Sequence, residues 1–287
     1  MDDKQVLASF QFLSDFHLEF RDHDVREWPE IKRVAPILVL AGDIGKVHQN
    51  IYGNFIGYVS LLFDHVLLVP GNHEHYQPST PMHTIEDCLD ILRGLAKKFE
   101  NVYLLHMNYF DFNGVRFLGT TLWSQVPEIA RSDVQYSLND YNSIYKAKKD
   151  ISLSPWSKLN WVKPTVDDTN KWHKQQLNWL QTQLKKSTIP TVVITHHAPS
   201  PYHINEEYRP EDPINRAYYT DLEYMMERPM VVWISGHTHS YRSFYLGKDV
   251  LCAVNCKGYP HQNIKGYNPN RVIQVYQDRA VEKTNIQ

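Results

Sequence analysis

Residues 231–239 read Val-Val-Trp-Ile-Ser-Gly-His-Thr-His: an apolar run that stops at a glycine and then sets two imidazoles one residue apart. Short runs of this kind, rich in β-branched residues, read as buried strands. The pattern recurs four more times. Phe10–Leu13 leads into Asp15 and His17, Ile37–Leu40 into Asp43, Val66–Val69 into Asn72 and His73, and Val192–Ile194 into His196 and His197. In open α/β sheets, ligands bind just beyond the carboxyl ends of the strands. If these strands are neighbours with a common direction, carboxylates, an amide and several imidazoles converge at one edge. A core needs no such arrangement, but a metal site does.

Between these runs the chain alternates strand and helix patterns, which argues for an α/β fold with a parallel sheet. Ile51, Phe55, Val59 and Leu62 keep helical spacing, although Gly53 and Gly57 weaken the pattern. Ser79 or Thr80 as cap and Pro81 at the first position predict a helix running to Phe99. Asn113-Gly114 predicts a hairpin between Tyr109–Phe112 and Val115–Gly119. From about 124 to 168 periodicity fades while aromatic residues persist, Tyr136, Tyr141, Trp156 and Trp161 among them. This stretch reads either as a lid or as a surface insertion. Thr169 is the expected cap of a helix through Leu184, and Thr220 that of a shorter one through Met226. Candidate ligands occur from residue 15 to residue 239, so residues 1–287 are expected to form a single domain.

The bulk properties narrow the class of partner. Thirty basic against 32 acidic residues leave a formal charge of -2, which gives no broad attraction for nucleic acid or an anionic membrane surface. No run approaches the ~18 apolar residues of a membrane span. Met-Asp-Asp-Lys passes straight into the first strand, which leaves no room for a signal peptide. Cys88, Cys252 and Cys256 form no disulfide framework, and they suggest structural thiols in a reducing compartment. A cytoplasmic protein is the expectation.

The motifs differ in weight. Asp15-Phe16-His17 and Gly42-Asp43 are weak alone; Gly71-Asn72-His73-Glu74 is better, because it follows a strand and sets an amide beside an imidazole. At this composition, Gly-His-x-His is expected by chance about 0.03 times in 287 positions. Taken in order, D-x-H, GD, GNH(E/D), H and GHxH resemble the calcineurin-like metallophosphoesterase superfamily across residues 15–239. The stretches FLGTTLW, NDY and NCKGY resemble a subgroup whose substrates are poorly defined.

The resemblance implies a metallophosphoesterase-type two-sheet β-sandwich flanked by helices, and hydrolysis of phosphate esters. It further implies one metal ion on Asp15, His17, Asp43 and His239, a second on Asp43, Asn72, His196 and His237, and a non-ligand catalytic role for His73. Two close cations repel, so a shared carboxylate is the natural bridge, and Asp43 is the choice. Such a pair can generate a hydroxide between them and clamp the phosphoryl oxygens. Mixed imidazole, carboxylate and amide donors suit Mn²⁺, Fe²⁺/Fe³⁺ or Zn²⁺. His73 would protonate the leaving oxygen, unless it serves as a further ligand. Glu74 is expected to support His73. His197 is expected either to hold a substrate oxygen or to steady a neighbouring ligand. Arg209 and Arg216 could pair with a phosphate, although a solvated arginine is the ordinary reading of each. Small phosphate esters or nucleotides are the expected substrates, with phosphodiesters favoured by the GHxH form. A catalytically inactive scaffold on the same fold is the alternative.

Overall fold

The computed structural model describes residues 5–21, 28, 30–148, 161–205 and 212–283. Its strands in chain order are β1 (Ala8–Leu13), β2 (Ile37–Ala41), β3 (His65–Val69), β4 (Val102–Leu104), β5 (Asn108–Phe112), β6 (Val115–Thr120) and β7 (Lys146–Ala147). After these come β8 (Trp161–Val162), β9 (Thr191–Thr195), β10 (Met230–Ser235), β11 (Tyr241–Leu246), β12 (Val250–Asn255), β13 (Val272–Val275) and β14 (Ala280–Lys283). The helices are α1 (Asn50–Leu62), α2 (Ile85–Ala96), α3 (Arg131–Ser137), α4 (Asp140–Ser143) and α5 (Val166–Lys186).

Two six-stranded mixed sheets result, ordered β14-β13-β1-β2-β3-β4 and β11-β12-β10-β9-β6-β5. Within the first, β1 to β4 are parallel and β13 and β14 add antiparallel strands. Within the second, β6, β9, β10 and β12 are parallel and the outer strands β5 and β11 run against them. The five ligand-tipped strands are therefore divided between two sheets, as the family resemblance implies, rather than ranked along one edge.

Strand alternation builds the layers. Val39, Leu67, Val192 and Ile234 face inward between the sheets. Leu38, Leu40 and Leu68 face the opposite way, onto Ile51, Phe55 and Leu92 of α1 and α2. Val193 and Trp233 pack on Leu180 and Leu184 of α5. Each sheet thus buries both faces, which explains why its central strands read as continuous apolar runs. The carboxyl ends of β1 and β12 are stitched together by a parallel bridge between Ser14 and Cys256, and Asn255 Nδ2 donates to the Phe12 carbonyl. This seam brings the ligand-bearing ends of both sheets to the same place.

Several helix starts differ from expectation. Thr84, not Ser79 or Thr80, caps α2, because its hydroxyl and the Asp87 carboxylate satisfy each other's backbone N–H groups. Thr165 caps α5 in the same way with Asp168, one turn ahead of Thr169. Only a single 3-10 turn, Glu223–Met225, forms after Thr220, whose hydroxyl instead accepts from the Gln125 backbone N–H. The stretch after Ser124 contains short helices, and Trp156 lies outside the described residues.

Candidate metal centre

Asp15, His17, Asp43, His237 and His239 all take left-handed backbone conformations, with φ of 57°, 49°, 55°, 67° and 43°. For side chains other than glycine each such residue costs of order 1–3 kcal/mol and persists only where the surroundings enforce it. Here they do. Asp15 N–H donates to the Gly42 carbonyl and His17 N–H to the Asp43 carbonyl, each at 3.0 Å. His237 N–H reaches across from the second sheet to the Asp15 carboxylate at 3.0 Å. The glycines make room. A Cβ at Gly71 would lie 2.2 Å from Asp43 Oδ1, and one at Gly42, itself at φ 88°, 2.4 Å from His196 Nδ1.

The turns aim the side chains at one point. His17 Nε2 lies 2.9 Å from His239 Nε2, and His239 Nε2 lies 3.4 Å from Asp15 Oδ1. Asn72 Oδ1 is 3.0 Å from His196 Nε2. Asp43 Oδ2 sits in the middle, 3.3 Å from His196 Nε2 and 3.9 Å from both His17 Nε2 and His73 Nε2. Two of the imidazoles are oriented through their other nitrogen: His196 Nδ1 by the Ala41 carbonyl at 2.9 Å, and His239 Nδ1 by Gln262 Oε1 at 2.6 Å. The structure thus brings together all seven residues expected to be ligands.

Charge balance shows what the cluster can hold. Burial disfavours an ionised Asp15, yet the hydrogen bond and charge of His239 hold its pKa down at about 2. Burial likewise opposes a charged His196, but Asp43 beside it raises its pKa to about 10. His237 is driven well below the ordinary value by burial and by its imidazole neighbours, and it stays neutral. Its buried Nε2 has no hydrogen-bond partner among the described residues. Imidazole nitrogens facing each other at 2.9 Å, an orphaned buried nitrogen and two ionised carboxylates fit a site for cations. Asp15, His17 and His239 form one group able to hold an ion; Asp43, His196 and His237 form another.

Around this cluster the sequence reading needs correction. The partner of His73 is not Glu74 but Glu19, whose Oε1 lies 2.6 Å from His73 Nδ1. Burial opposes ionisation of Glu19, but the hydrogen bond from His73 and the His17 imidazole 3.6 Å away bring its pKa to about 2, and together with Asp43 its charge raises that of His73 against desolvation. Glu74 turns away and accepts from the backbone N–H groups of Asp43, Ile44 and Gly71 and from the Tyr52 hydroxyl. It therefore ties the loop after β2 to the loop after β3. His197 is buried against Trp123 and His237 and does not line the cavity. Arg216 turns to the Tyr219 hydroxyl, and Arg209 lies outside the described residues.

A cavity of about 690 Å³ opens onto Asp43, Asn72, His73, His237 and His239. Its further walls include amide and phenol groups of Asn139, Asn215, Tyr218, Tyr259 and Gln262, the carboxyl groups of Asp140 and Asp212, and the aliphatic Leu138, Ile204, Ile214 and Ile264. Tyr259 and Asp140 belong to NCKGY and NDY, the signals by which the sequence could have revealed them. Glu19 follows His17 by two residues and carried no such mark.

A four-layer sandwich with a histidine–carboxylate cluster at the joined strand ends is the architecture of a metal-dependent hydrolase. The family model for calcineurin-like phosphoesterases matches residues 9–241, and the chain belongs to that family as a metal-dependent phosphoesterase. The chain is 30% identical to the uncharacterized protein L509 of Acanthamoeba polyphaga mimivirus, over 93% of this chain and 96% of that one. Phosphopantetheinyl hydrolase from Mycobacterium tuberculosis shares the fold, with a TM-score of 0.67 at 17% identity over 95% of this chain and 97% of that one. So does a dimetal phosphatase from Danio rerio, with a TM-score of 0.54 at 16% identity over 97% and 96%. Among the described residues no helix is long and apolar enough to cross a membrane.

Proposed function

We propose that the chain hydrolyses small phosphodiesters with two metal ions, His73 protonating the departing oxygen. One ion would be held by Asp15, His17, Asp43 and His239, the other by Asp43, Asn72, His196 and His237. The observation that carries this reading is the central place of Asp43 Oδ2, within 3.3–3.9 Å of imidazoles from both groups. When bound, the ions would acidify water and neutralise charge on the phosphoryl oxygens. Their identity is left to Mn²⁺, Fe²⁺/Fe³⁺ or Zn²⁺, which this donor set suits.

His73 does its part through both ring nitrogens. Nδ1 donates to Glu19, which fixes the ring and favours the imidazolium; Nε2 then carries the transferable proton. That nitrogen lies 3.4 Å from the Tyr259 hydroxyl at the cavity wall. The preference for diesters rests on the walls. Among the described residues lining the cavity there is no lysine or arginine, while Asp140 and Asp212 add negative charge. A monoester dianion would meet this charge with His73 as its one cationic partner beyond the metal centre among the described lining residues. A diester carries one charge and two organic groups, for which amides and phenols are suitable partners. Because the site draws on both sheets and on the segment that joins β6 to β9, we treat residues 1–287 as one catalytic domain, and we place it in the cytoplasm on cysteine usage alone.

The test combines metal content with turnover of bis-p-nitrophenyl phosphate and p-nitrophenyl phosphate in manganese, for the wild type and His73→Gln. The wild type should bind two ions and prefer the diester. His73→Gln should lose about 10²–10⁴-fold in kcat with both ions retained. Two bound ions with no turnover of either ester, or of a nucleotide panel, would make the chain a scaffold. Loss of metal in the variant would make His73 a ligand, and a faster monoester would overturn the substrate class.

A further inference from the structure

The run Asn139-Asp140-Tyr141 lies in the segment that joins β6 to β9 of the second sheet and takes no part in the proton transfer above, yet it touches the centre. Asp140 is 4% exposed, and its Oδ1 accepts from Asn72 Nδ2 at 2.8 Å and from the Tyr76 hydroxyl at 2.5 Å. Asn72 Nδ2 also donates to that hydroxyl at 3.1 Å, which closes a triangle of three buried side chains. Tyr141, next in sequence, is buried with its hydroxyl 3.1 Å from Thr169 Oγ1, so the run is pinned to α5. α5 in turn packs under the second sheet.

An asparagine amide has an oxygen at one end and an NH₂ of nearly the same shape at the other, and only the oxygen can hold a cation. What the far end meets decides which group faces the ion pocket. A carboxylate accepts hydrogen bonds, so Asp140 selects the NH₂. The phenol oxygen of Tyr76 accepts as well, while its own hydrogen is committed to Asp140. With both acceptors in place the NH₂ is occupied, and Asn72 Oδ1 points to the centre, 3.0 Å from His196 Nε2.

We infer that Asp140, helped by Tyr76, is a positioning residue that locks the Asn72 amide with its oxygen toward the second ion and so ties that ion's affinity to the placement of the Asn139–Tyr141 run. This inference rests on the proposed role of Asn72 as a ligand. The run also forms a wall of the cavity, through Asn139 and Asp140. The surface that meets substrate and the prop of a metal ligand are therefore one piece of chain.

The experiment is a Mn²⁺ titration of the full chain, reading ion stoichiometry, the Mn²⁺ dependence of activity, and kcat and KM at saturating Mn²⁺. Wild type, Asp140→Leu and Asp140→Asn are compared. Asp140→Leu removes the acceptor, and should weaken one of the two ions by about 10–100-fold while the other is held as before. Activity should return in large part at saturating Mn²⁺. Asp140→Asn keeps an amide oxygen for Asn72 Nδ2 and should restore most of the affinity, which a merely structural role would not explain. Should Asp140→Leu fail to fold, the exchange settles the matter. Asn72→Asp alone sets carboxylate against carboxylate and should lose the ion, and adding Asp140→Asn should recover it. Unchanged affinity in a folded Asp140→Leu, or an exchange no better than Asn72→Asp alone, overturns the inference while a two-ion, active wild type leaves the functional reading intact. A wild type that binds no pair of ions takes both down.

Discussion

The rims contributed by the two sheets are held in opposite ways. The first sheet's rim carries Asp15, His17, Asp43 and Asn72, and its loops are cross-tied by buried acids: Glu74 takes three backbone N–H groups and a phenol, and Asp140 takes the Asn72 amide. The second sheet's rim carries only imidazoles. His196 and His239 are anchored through Nδ1, whereas His197 Nδ1 and His237 Nε2 have no hydrogen-bond partner among the described residues, as is also true of His17 Nδ1 on the first rim; what the second rim does not have is a buried acid tying its loops together. Buried acids tie the loops of the first rim together, while the second would be completed by a cation on His237 Nε2. Loss of the Glu74 brace, which ties the loops after β2 and β3, should therefore spread to both ions and to stability. Damage to the second rim should stay local.

The largest effect is expected where both rims meet. Asp43→Asn replaces the central carboxylate by an amide of the same shape and removes the negative charge that raises the pKa of His196. Both ions should be lost together, and turnover should fall by at least ~10³-fold, beyond the 10–100-fold typical of groups that only support a ligand. Metal analysis of the purified variant beside its activity checks this. One ion kept at full occupancy, with activity, would show that the rims do not share Asp43.

Glu74→Ala tests the bracing alone, since Glu74 touches no cavity. It leaves three backbone N–H groups and the Tyr52 hydroxyl buried without their acceptor, at about 1–3 kcal/mol for each group that finds no water. Thermal unfolding should show a loss of several kcal/mol, about 3–5, together with weaker binding of both ions. Glu74→Gln, with one acceptor oxygen left, should fall between. A Glu74→Ala protein with wild-type stability would mean that the first rim needs no brace, and the contrast between the rims would disappear.

That contrast also explains what could be read in the sequence. The clustering of the proposed ligands was legible because a strand ends where its first polar side chain leaves the core, and His, Asp and Asn there stand out against Val and Ile. Their supports were not. Glu19 becomes a partner of His73 only because the turn Leu18–Phe20 folds it back to a residue 54 positions away. Asp140 was marked only as part of NDY, in a stretch where periodicity fails, and nothing there pointed to its tie to Asn72 across 68 positions. Glu74 was visible but misassigned, because sequence adjacency suggested His73 while the 3-10 turn His73–His75 points the carboxylate at backbone amides instead. Helix starts slipped for a local reason: Thr84 with Asp87 and Thr165 with Asp168 cap reciprocally, which outweighs a nearby proline or a lone threonine.

The smallest effect is expected at His197, which sharpens the comparison from the other side. Residues 196 and 197 leave β9 in succession, and successive side chains point to opposite sides. His196 enters the centre, while His197 goes between Trp123, at 5.3 Å between ring centres, and His237, at 4.2 Å. Burial drives its pKa well below the ordinary value, so it packs as a neutral ring. A residue in that position acts as a spacer that sets where the His237 ring stands, and a benzene ring can do the same. His197→Phe should therefore fold at a stability cost under ~1.5 kcal/mol, keep both ions and, because the ring does not line the cavity, change kcat by less than about tenfold, a barrier change of ~1.4 kcal/mol. His197→Ala opens a void beside His237 and should weaken the ion held by His237 more than the phenylalanine does, which a Mn²⁺ titration of both variants resolves. A fall in kcat/KM of ~10²-fold or more in His197→Phe, with both ions in place, would instead make His197 a partner of the substrate. The second rim would then be set by more than packing and the cations it holds.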